Sequence, residues 1–417
     1  MDADHADVVT VFLRNQGEIL LVQRSDAVGT YQGAWAGVSG YVEDEPERTA
    51  RMEIAEETGF DESVERVTTG QPFTFTDEEL GREWTVHPFL FDVASRDVVL
   101  DQESAAAEWT APTAILRRET VPELWRAYTR VRPTPSSIAT DTTHGSAYLS
   151  IRALEILRDE AGYLASAEAD PETTRTTIVA LAEELRGARA SMTALGNRVQ
   201  RVVDQCRNEW APANVEITAI EEIEAALAAD RRAAAAIHSV IQDRSVLTLS
   251  RSGTILEALR SGPSHVFIAE SRPEREGIAV AEELAEVGIP VTVCLDSAVA
   301  SVLDRHPVDV IVVGADTILA DGRVVNKIGT HTTAMVANAF EVPVYVVAAA
   351  DKISPETDPV LEFGPDSALY DGTRELTVDN PTFDVTPSRF IKGYATDRGM
   401  LDTEEVTEIA SGQHGSS

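Results

Sequence analysis

The stretch GAWAGVSGYVEDEPERTARMEIAEETGF, Gly33–Phe60, decides how the first third of this chain folds. Its first half is a glycine-rich loop. Its second half, from Pro46 to Thr58, reads as a helix, with Pro46 suited to the first turn and Gly59 to the stop. Positions i, i+3 and i+4 of a helix share a face. Glu53, Glu56 and Glu57 therefore face one way, and three carboxylates on one face repel unless a hard cation neutralises them. Magnesium takes carboxylate oxygens while sharing substrate phosphates, which makes Mg²⁺ (or Mn²⁺) the expected cofactor. Such a site lowers the pKa of bound water and stabilises charge on a pyrophosphate. A solvated acidic helix face is the plain alternative for glutamates alone.

The whole string resembles the Nudix box, Gly-x5-Glu-x7-Arg-Glu-U-x-Glu-Glu-x-Gly-U, where U is a bulky aliphatic. Glu53-Ile-Ala-Glu56-Glu57-Thr-Gly59-Phe60 matches its second half. The resemblance implies a Nudix α/β/α sandwich over residues 1–132. It also implies that Glu53, Glu56 and Glu57 are metal ligands and catalytic groups. Two departures stand out. Met52 holds the motif's arginine position, and the arginine has moved to Arg51. The interval from Gly40 to Glu53 is two residues short, so the motif's first glutamate is Glu43, Glu45 or neither. In the family that arginine orients a motif glutamate, so its displacement bears on rate. Arg24, after Leu20-Leu-Val-Gln23, either meets a substrate phosphate or is an exposed strand-end arginine. Glu103 and Glu108 are candidates for a further base.

Outward from this box, Val8–Leu13, Glu18–Gln23, Val67–Phe75 and Trp84–Val93 read as strands, Gly29–Gly40 as a loop, and a short helix is expected near Pro122–Val131. The Pro/Ser stretch at 132–137 places a linker at 133–145. Apolar spacing then predicts helices at Ala147–Glu160, Glu172–Arg186, Ala194–Arg207 and Ile217–Gln242, a helical lead-in over 146–242. From 243 to 412 short apolar runs alternate with helices: Ser245–Leu249, His265–Ala269, Val291–Cys294, Val308–Val313 and Val344–Ala348. That alternation predicts a Rossmann-like parallel α/β domain. Residues 413–417 read as a disordered tail.

In open α/β sheets, ligands collect at the carboxyl ends of strands. Five such ends carry polar strings: Ser250-Arg251-Ser252-Gly253, Glu270-Ser-Arg272-Pro273, Asp296-Ser297, Gly314-Ala-Asp316 and Asn326-Lys327-Ile-Gly329. Any one alone is ordinary turn chemistry. Over 145–412 the chain resembles the family shared by the initiation factor 2B alpha, beta and delta subunits and two sugar-phosphate isomerases. These act on ribose 1,5-bisphosphate and methylthioribose 1-phosphate. Gly314-Ala-Asp316 and Asn326-Lys327-Ile-Gly329-Thr carry that resemblance most specifically. It implies a catalytic Asp316 and phosphate contacts from Arg189, Arg272, Asn326 and Lys327; the loop residues Ser250, Arg251 and Ser252, at a helix start whose N–H groups favour an anion, are substrate- or phosphate-binding candidates from the sequence itself. It also implies a homo-oligomer through this domain. The isomerases' catalytic cysteine position reads Ser250 here. A serine hydroxyl is a poor substitute for a thiol acid/base, so weak or no isomerase activity is expected. Cys294, one strand away, reads as a buried structural thiol.

The bulk numbers bound the rest. At about 150 residues per domain, 417 residues suggest two or three domains. A net charge of −35 excludes non-specific nucleic-acid binding through a positive field. Lys327, Lys352 and Lys392 are the only lysines among 35 basic residues. That acidic, lysine-poor composition resembles proteins of salt-loving archaea, whose self-repulsion salt screens. Two cysteines without metal spacing fit a reducing cytoplasm. No apolar run reaches the roughly 18 residues of a membrane span. A soluble, cytoplasmic protein handling a phosphorylated small molecule is expected. Three activities follow as alternatives: a Mg²⁺-dependent hydrolase of a nucleoside diphosphate derivative, a translation-factor-like regulator that binds partner proteins and carries a degenerate Nudix sensor, or an isomerase using Asp316.

Overall fold

In the computed structural model, which describes residues 4–61, 64–260 and 262–413, the first eight strands build one mixed sheet. They are β1 (Asp4–Asn15), β2 (Glu18–Arg24), β3 (Trp35–Ala36), β4 (Val38–Tyr41), β5 (Glu65–Thr69), β6 (Phe73–Asp77), β7 (Arg82–Asp92) and β8 (Ser104–Thr110). The central order is β3-β2-β1-β7-β5, with β4 on β1, β6 on β7 and β8 on β2. Among these strands β1 and β7 run parallel, and the other pairs are antiparallel. Strand alternation sends Val9, Val11 and Leu13 to one face, where Ala50 and Ile54 of helix α1 (Pro46–Thr58) cover them. Phe12, Ile19 and Leu21 face the other way, against Leu124, Ala127 and Tyr128 of α2 (Leu124–Thr129). The expected sandwich is present.

Helix α1 has the expected bounds. Gly59 ends it at φ 73°, a left-handed conformation that glycine adopts without a Cβ penalty. Other expectations shift. The glycine loop holds the short strands β3 and β4. The run Val67–Phe75 splits into β5 and β6, because Gly70-Gln-Pro72 interrupts it. Strand β8 is an addition to the expected set, since an alanine-rich run carries little strand signal; Ser104-Ala-Ala-Ala-Glu108 becomes a strand by pairing along β2.

Next come α3 (Pro135–Thr140), α4 (Ser146–Ser166), α5 (Pro171–Ala188), α6 (Thr193–Gln205), α7 (Pro212–Ala236) and α8 (His238–Ile241). The expected linker thus contains a short helix whose Ile138 is buried. Contacts divide the chain into two compact units. The first comprises Met1–Thr134, Glu155–Ile178 and Cys206–Ile220; the second comprises Pro135–Leu154, Val179–Gln205 and Glu221–Ser417.

The second unit is built on a seven-stranded sheet ordered β11-β10-β9-β12-β15-β17-β18. Its strands are β9 (Ser245–Leu249), β10 (His265–Ala269), β11 (Val291–Cys294), β12 (Val310–Val313), β15 (Val344–Val347), β17 (Gly393–Thr396) and β18 (Gly399–Leu401). All neighbours are parallel except β17 and β18. Helices α9 (Gly253–Leu259) and α10 (Glu276–Glu286) pack on one face through Ile255, Leu259 and Leu284. Helices α11 (Val299–Arg305), α12 (Thr330–Ala339) and α14 (Thr403–Gln413) cover the other through Val302, Ala334 and Val406. A small antiparallel sheet, β13 (Thr317–Ile318), β14 (Val324–Lys327) and β16 (Phe383–Thr386), stands beside it, with α13 (Asp366–Leu369) between β15 and β16 in sequence. Residues 414–417, most of the expected tail, lie outside the described residues. Among the described residues no helix is long and apolar enough to cross a membrane.

Candidate functional site

Two cavities hold almost all the residues singled out above. The first, about 400 Å³, lies wholly in the first unit and is lined by Glu53, Glu56 and Glu57 together with Arg24, Asp101 and Glu103. The helix period puts the three glutamates there. Glu57 is buried, and its Oε1 accepts the Ser39 N–H at 3.1 Å. Burial, then Glu53 and Asp101, push its pKa up to about 8 against the lowering pull of the Ser39 N–H and Arg24. Glu53 rises to about 7, through burial and then Glu56, Glu103, Asp101 and Glu43. It lies over Gly40, where an added Cβ would fall 1.7 Å from Glu53 Oε1. The loop glycine is thus a cradle for this carboxylate.

Arg24 donates from Nε to Thr30 O at 3.0 Å and from Nη1 to Ser39 Oγ at 3.3 Å while lining the cavity. The displaced Arg51 reaches Glu47 and donates to Val64 O, and Met52 is exposed. The Ser39 N–H is what holds Glu57 here. Of the two candidate bases, Glu103 lines the cavity. Glu108 does not: it sits on β8, and Arg118 at 2.6 Å holds its carboxyl below the usual range. Neither Glu43 nor Glu45 lines the cavity; Glu45 occupies the N-cap position of α1 without a side-chain capping bond. Asp101 and Tyr31 line it without standing out in the sequence, beside Trp84 from the start of the expected strand Trp84–Val93; Tyr31 and Trp84 have ring centroids 6.3 Å apart.

Among the described residues, no three His, Cys, Asp or Glu side chains are gathered tightly enough to hold a metal ion. Magnesium, however, is held by one or two carboxylates together with water and substrate phosphate. The donors fit it in kind: hard oxygens, several carboxylates on one wall, and no lysine among the lining residues.

The second cavity, about 190 Å³, lies in the second unit at the carboxyl ends of β9, β12 and β14. Arg189, Ser250, Arg251, Ser252, Asp316, Asn326 and Lys327 all line it, as does Lys352, which sequence reasoning missed. Ser250 has a left-handed φ of 64° and donates from Oγ to Glu276 Oε2 at 2.6 Å. Lys327 Nζ lies 3.1 Å from Glu276 Oε1 and 3.0 Å from Glu274 Oε2. Arg189 pairs with Glu362 at 3.0 Å, and Arg251 with Glu283 at 3.5 Å. Asn326 donates to Thr330 Oγ1 at 2.9 Å.

Lys352 differs from these cations. It is 3% exposed, its Nζ donates to Ala315 O at 2.6 Å, and among the described residues no carboxylate stands within ion-pair distance. Burial lowers its pKa, opposed by Asp316 and Asp230. The expectation for Arg272 is corrected: it is exposed and does not line the cavity. Asp296 accepts the N–H groups of Ser271 and Arg272 at 2.7 Å each, so that carboxylate clamps the loop instead of meeting a ligand. Cys294 is half-buried outside the cavity lining, and burial lifts its thiol to about 11, with Asp296 and Glu270 adding to it.

A mixed-sheet sandwich bearing a glutamate-lined cavity, followed along the chain by a parallel α/β fold with a cation-bearing cavity at its strand ends, defines a two-module protein. Residues 4–131 match the NUDIX domain, and residues 142–403 match the Initiation factor 2 subunit family. The chain belongs to the Initiation factor 2 subunit family and carries an N-terminal NUDIX domain. It is 31% identical over 301 residues to a ribose 1,5-bisphosphate isomerase of Haloferax volcanii, covering 67% of this chain and 91% of that protein. It is 43% identical over 142 residues to a methylthioribose-1-phosphate isomerase of Gemmatimonas aurantiaca, covering 33% of this chain and only 41% of that relative's length. The Pyrococcus horikoshii OT3 translation initiation factor eIF-2B is similar in structure, with a TM-score of 0.56 and 27% identity over 64% of this chain and 94% of that one.

Proposed function

We propose that this chain is an enzyme whose NUDIX domain hydrolyses a nucleoside diphosphate derivative with Mg²⁺, and whose second unit binds a sugar phosphate. The observation that carries the first part is the convergence of Glu53, Glu56 and Glu57 on one cavity with Arg24. Glu53 and Glu57 would hold the ion, with Glu56 beside them. The bound ion supplies a Lewis acid and a more acidic water at neutral pH. Arg24 presents a guanidinium suited to a phosphate oxygen, and Glu103, which lines the same cavity, would accept a proton. Tyr31 and Trp84 offer an aromatic surface for the organic part of the substrate.

The sugar-phosphate reading rests on the strand-end cavity and on the identity with the Haloferax relative. There Asp316, Asn326, Lys327 and Lys352 surround the ligand. A homo-oligomer through the second unit is part of the proposal. The contrasting reading, a translation-factor-like regulator with a silent NUDIX domain, is favoured by the structural likeness to the Pyrococcus factor.

Mg²⁺-dependent cleavage of a panel of nucleotide sugars and dinucleotides, read as nucleoside monophosphate and the phosphorylated second product, separates the two. Turnover is expected, and Glu57→Gln should lower it on the order of 100- to 1,000-fold, the scale of losing one electrostatic stabiliser. No turnover by the wild type, or turnover indifferent to Glu57→Gln, would leave the regulator.

A further inference from the structure

The hydroxyl of Ser250 is not idle. Ser250 Oγ donates to Glu276 Oε2 at 2.6 Å, and both side chains line the strand-end cavity. The other oxygen of Glu276 is taken by Lys327 at 3.1 Å, so Oε2 is the one presented to Ser250. The serine is fixed from behind as well: its own N–H donates to Ser271 Oγ at 2.6 Å, and its backbone is held left-handed at φ 64°. Glu276 is steadied as the first residue of α10. Asp316 is a second carboxylate lining the same cavity.

We propose that Ser250 and Glu276 form a proton relay facing the sugar-phosphate site. The serine need not ionise if it only passes a proton on. A hydroxyl both donates and accepts, so it can do this in one motion. As a ligand hydroxyl gives its proton to Ser250 Oγ, the serine gives its own to Glu276 Oε2. Two O–H bonds break and two form, and the reverse motion restores both residues. The chemistry served is isomerisation of a phosphosugar, in which a carbon-bound hydrogen moves within the sugar while a hydroxyl proton is taken up and returned. No oxidant or reductant is consumed. Asp316 is left to serve a second ligand oxygen.

This inference rests on the sugar-phosphate reading of the cavity, and the test separates the two. Binding of ribose 1,5-bisphosphate to the full chain is measured by calorimetry, and its conversion by phosphorus NMR. The wild type should bind and convert. Ser250→Ala and Glu276→Gln should each convert at least roughly 100-fold more slowly, the usual contribution of a positioned acid or base. Ser250→Ala should keep its affinity within a few-fold, and Glu276→Gln should keep or tighten it, since Lys327 loses a carboxylate partner. Ser250→Cys should retain conversion. Binding without conversion, or conversion untouched by both variants, overturns the relay alone. Absence of binding by the wild type overturns the sugar-phosphate reading and the relay with it.

Discussion

The two cavities of this chain are charged in opposite styles. In the NUDIX domain, burial first and neighbouring carboxylates second drive the Glu53 and Glu57 pKa values upward, with Arg24 the cation among the lining residues that opposes them. In the second unit the cations Arg189, Arg251 and Lys327 each already hold a carboxylate, whereas Lys352 sits buried with none among the described residues at ion-pair distance. The first cavity is short of positive charge, which the proposed Mg²⁺ would supply. The second is nearly balanced within itself, so the proposed sugar phosphate would have to compete with resident carboxylates or settle on Lys352.

The largest test of that contrast is Lys352→Met. Losing a hydrogen bond from a charged donor costs about 1.5–3 kcal/mol. Sugar-phosphate affinity should therefore fall roughly ten- to hundredfold, while NUDIX turnover stays as it was. Equal affinity in calorimetry would show that the paired cations do the binding. Next in size is the pH response of the carboxylate wall. Glu53 and Glu57 titrate near 7 and 8 when folded, above their unfolded values. The folded state thus binds more protons, and stability is lost as pH rises from about 4.5 through about 8. Without divalent ions, Tm should drop across that window; saturating Mg²⁺ should flatten the drop. A metal-independent slope would break the contrast. The smallest effect is that of salt. With a net charge of −35, molar KCl should raise Tm by screening self-repulsion. A Tm that falls with KCl would mean that ion pairs such as Lys327–Glu274 matter more than the overall repulsion.

Helix α1, the strands β9, β10 and β11 and the NUDIX glutamates were legible because period and punctuation are local signals. The sites were legible as far as strand ends reach. What lay hidden is long-range pairing. Nothing near Arg189 announces Glu362, 173 residues away, and Ser250 meets Glu276 only once β10 has returned the chain to the same sheet edge. Lys352 looks in the sequence like one lysine of three; its burial beside Ala315 is a product of packing. Arg272 misled for the converse reason, because Asp296 anchors the backbone N–H groups of Ser271 and Arg272 and leaves the arginine side chain in solvent.

The division of the chain into units has a consequence for anyone treating the NUDIX domain as a detachable cassette. Segments well past residue 134 complete its polar interior. Glu155 pairs with the buried Arg14 at 3.3 Å, Asp159 accepts from Tyr128 at 2.9 Å, Arg158 donates to Gly17 O, and Glu216 accepts from Thr113 at 2.5 Å and from Arg117. A graft ending at the Pro/Ser stretch would expose these groups unpaired, at about 3–5 kcal/mol for a broken buried ion pair. The boundary that a sequence comparison draws and the boundary along which the protein could be cut are different lines.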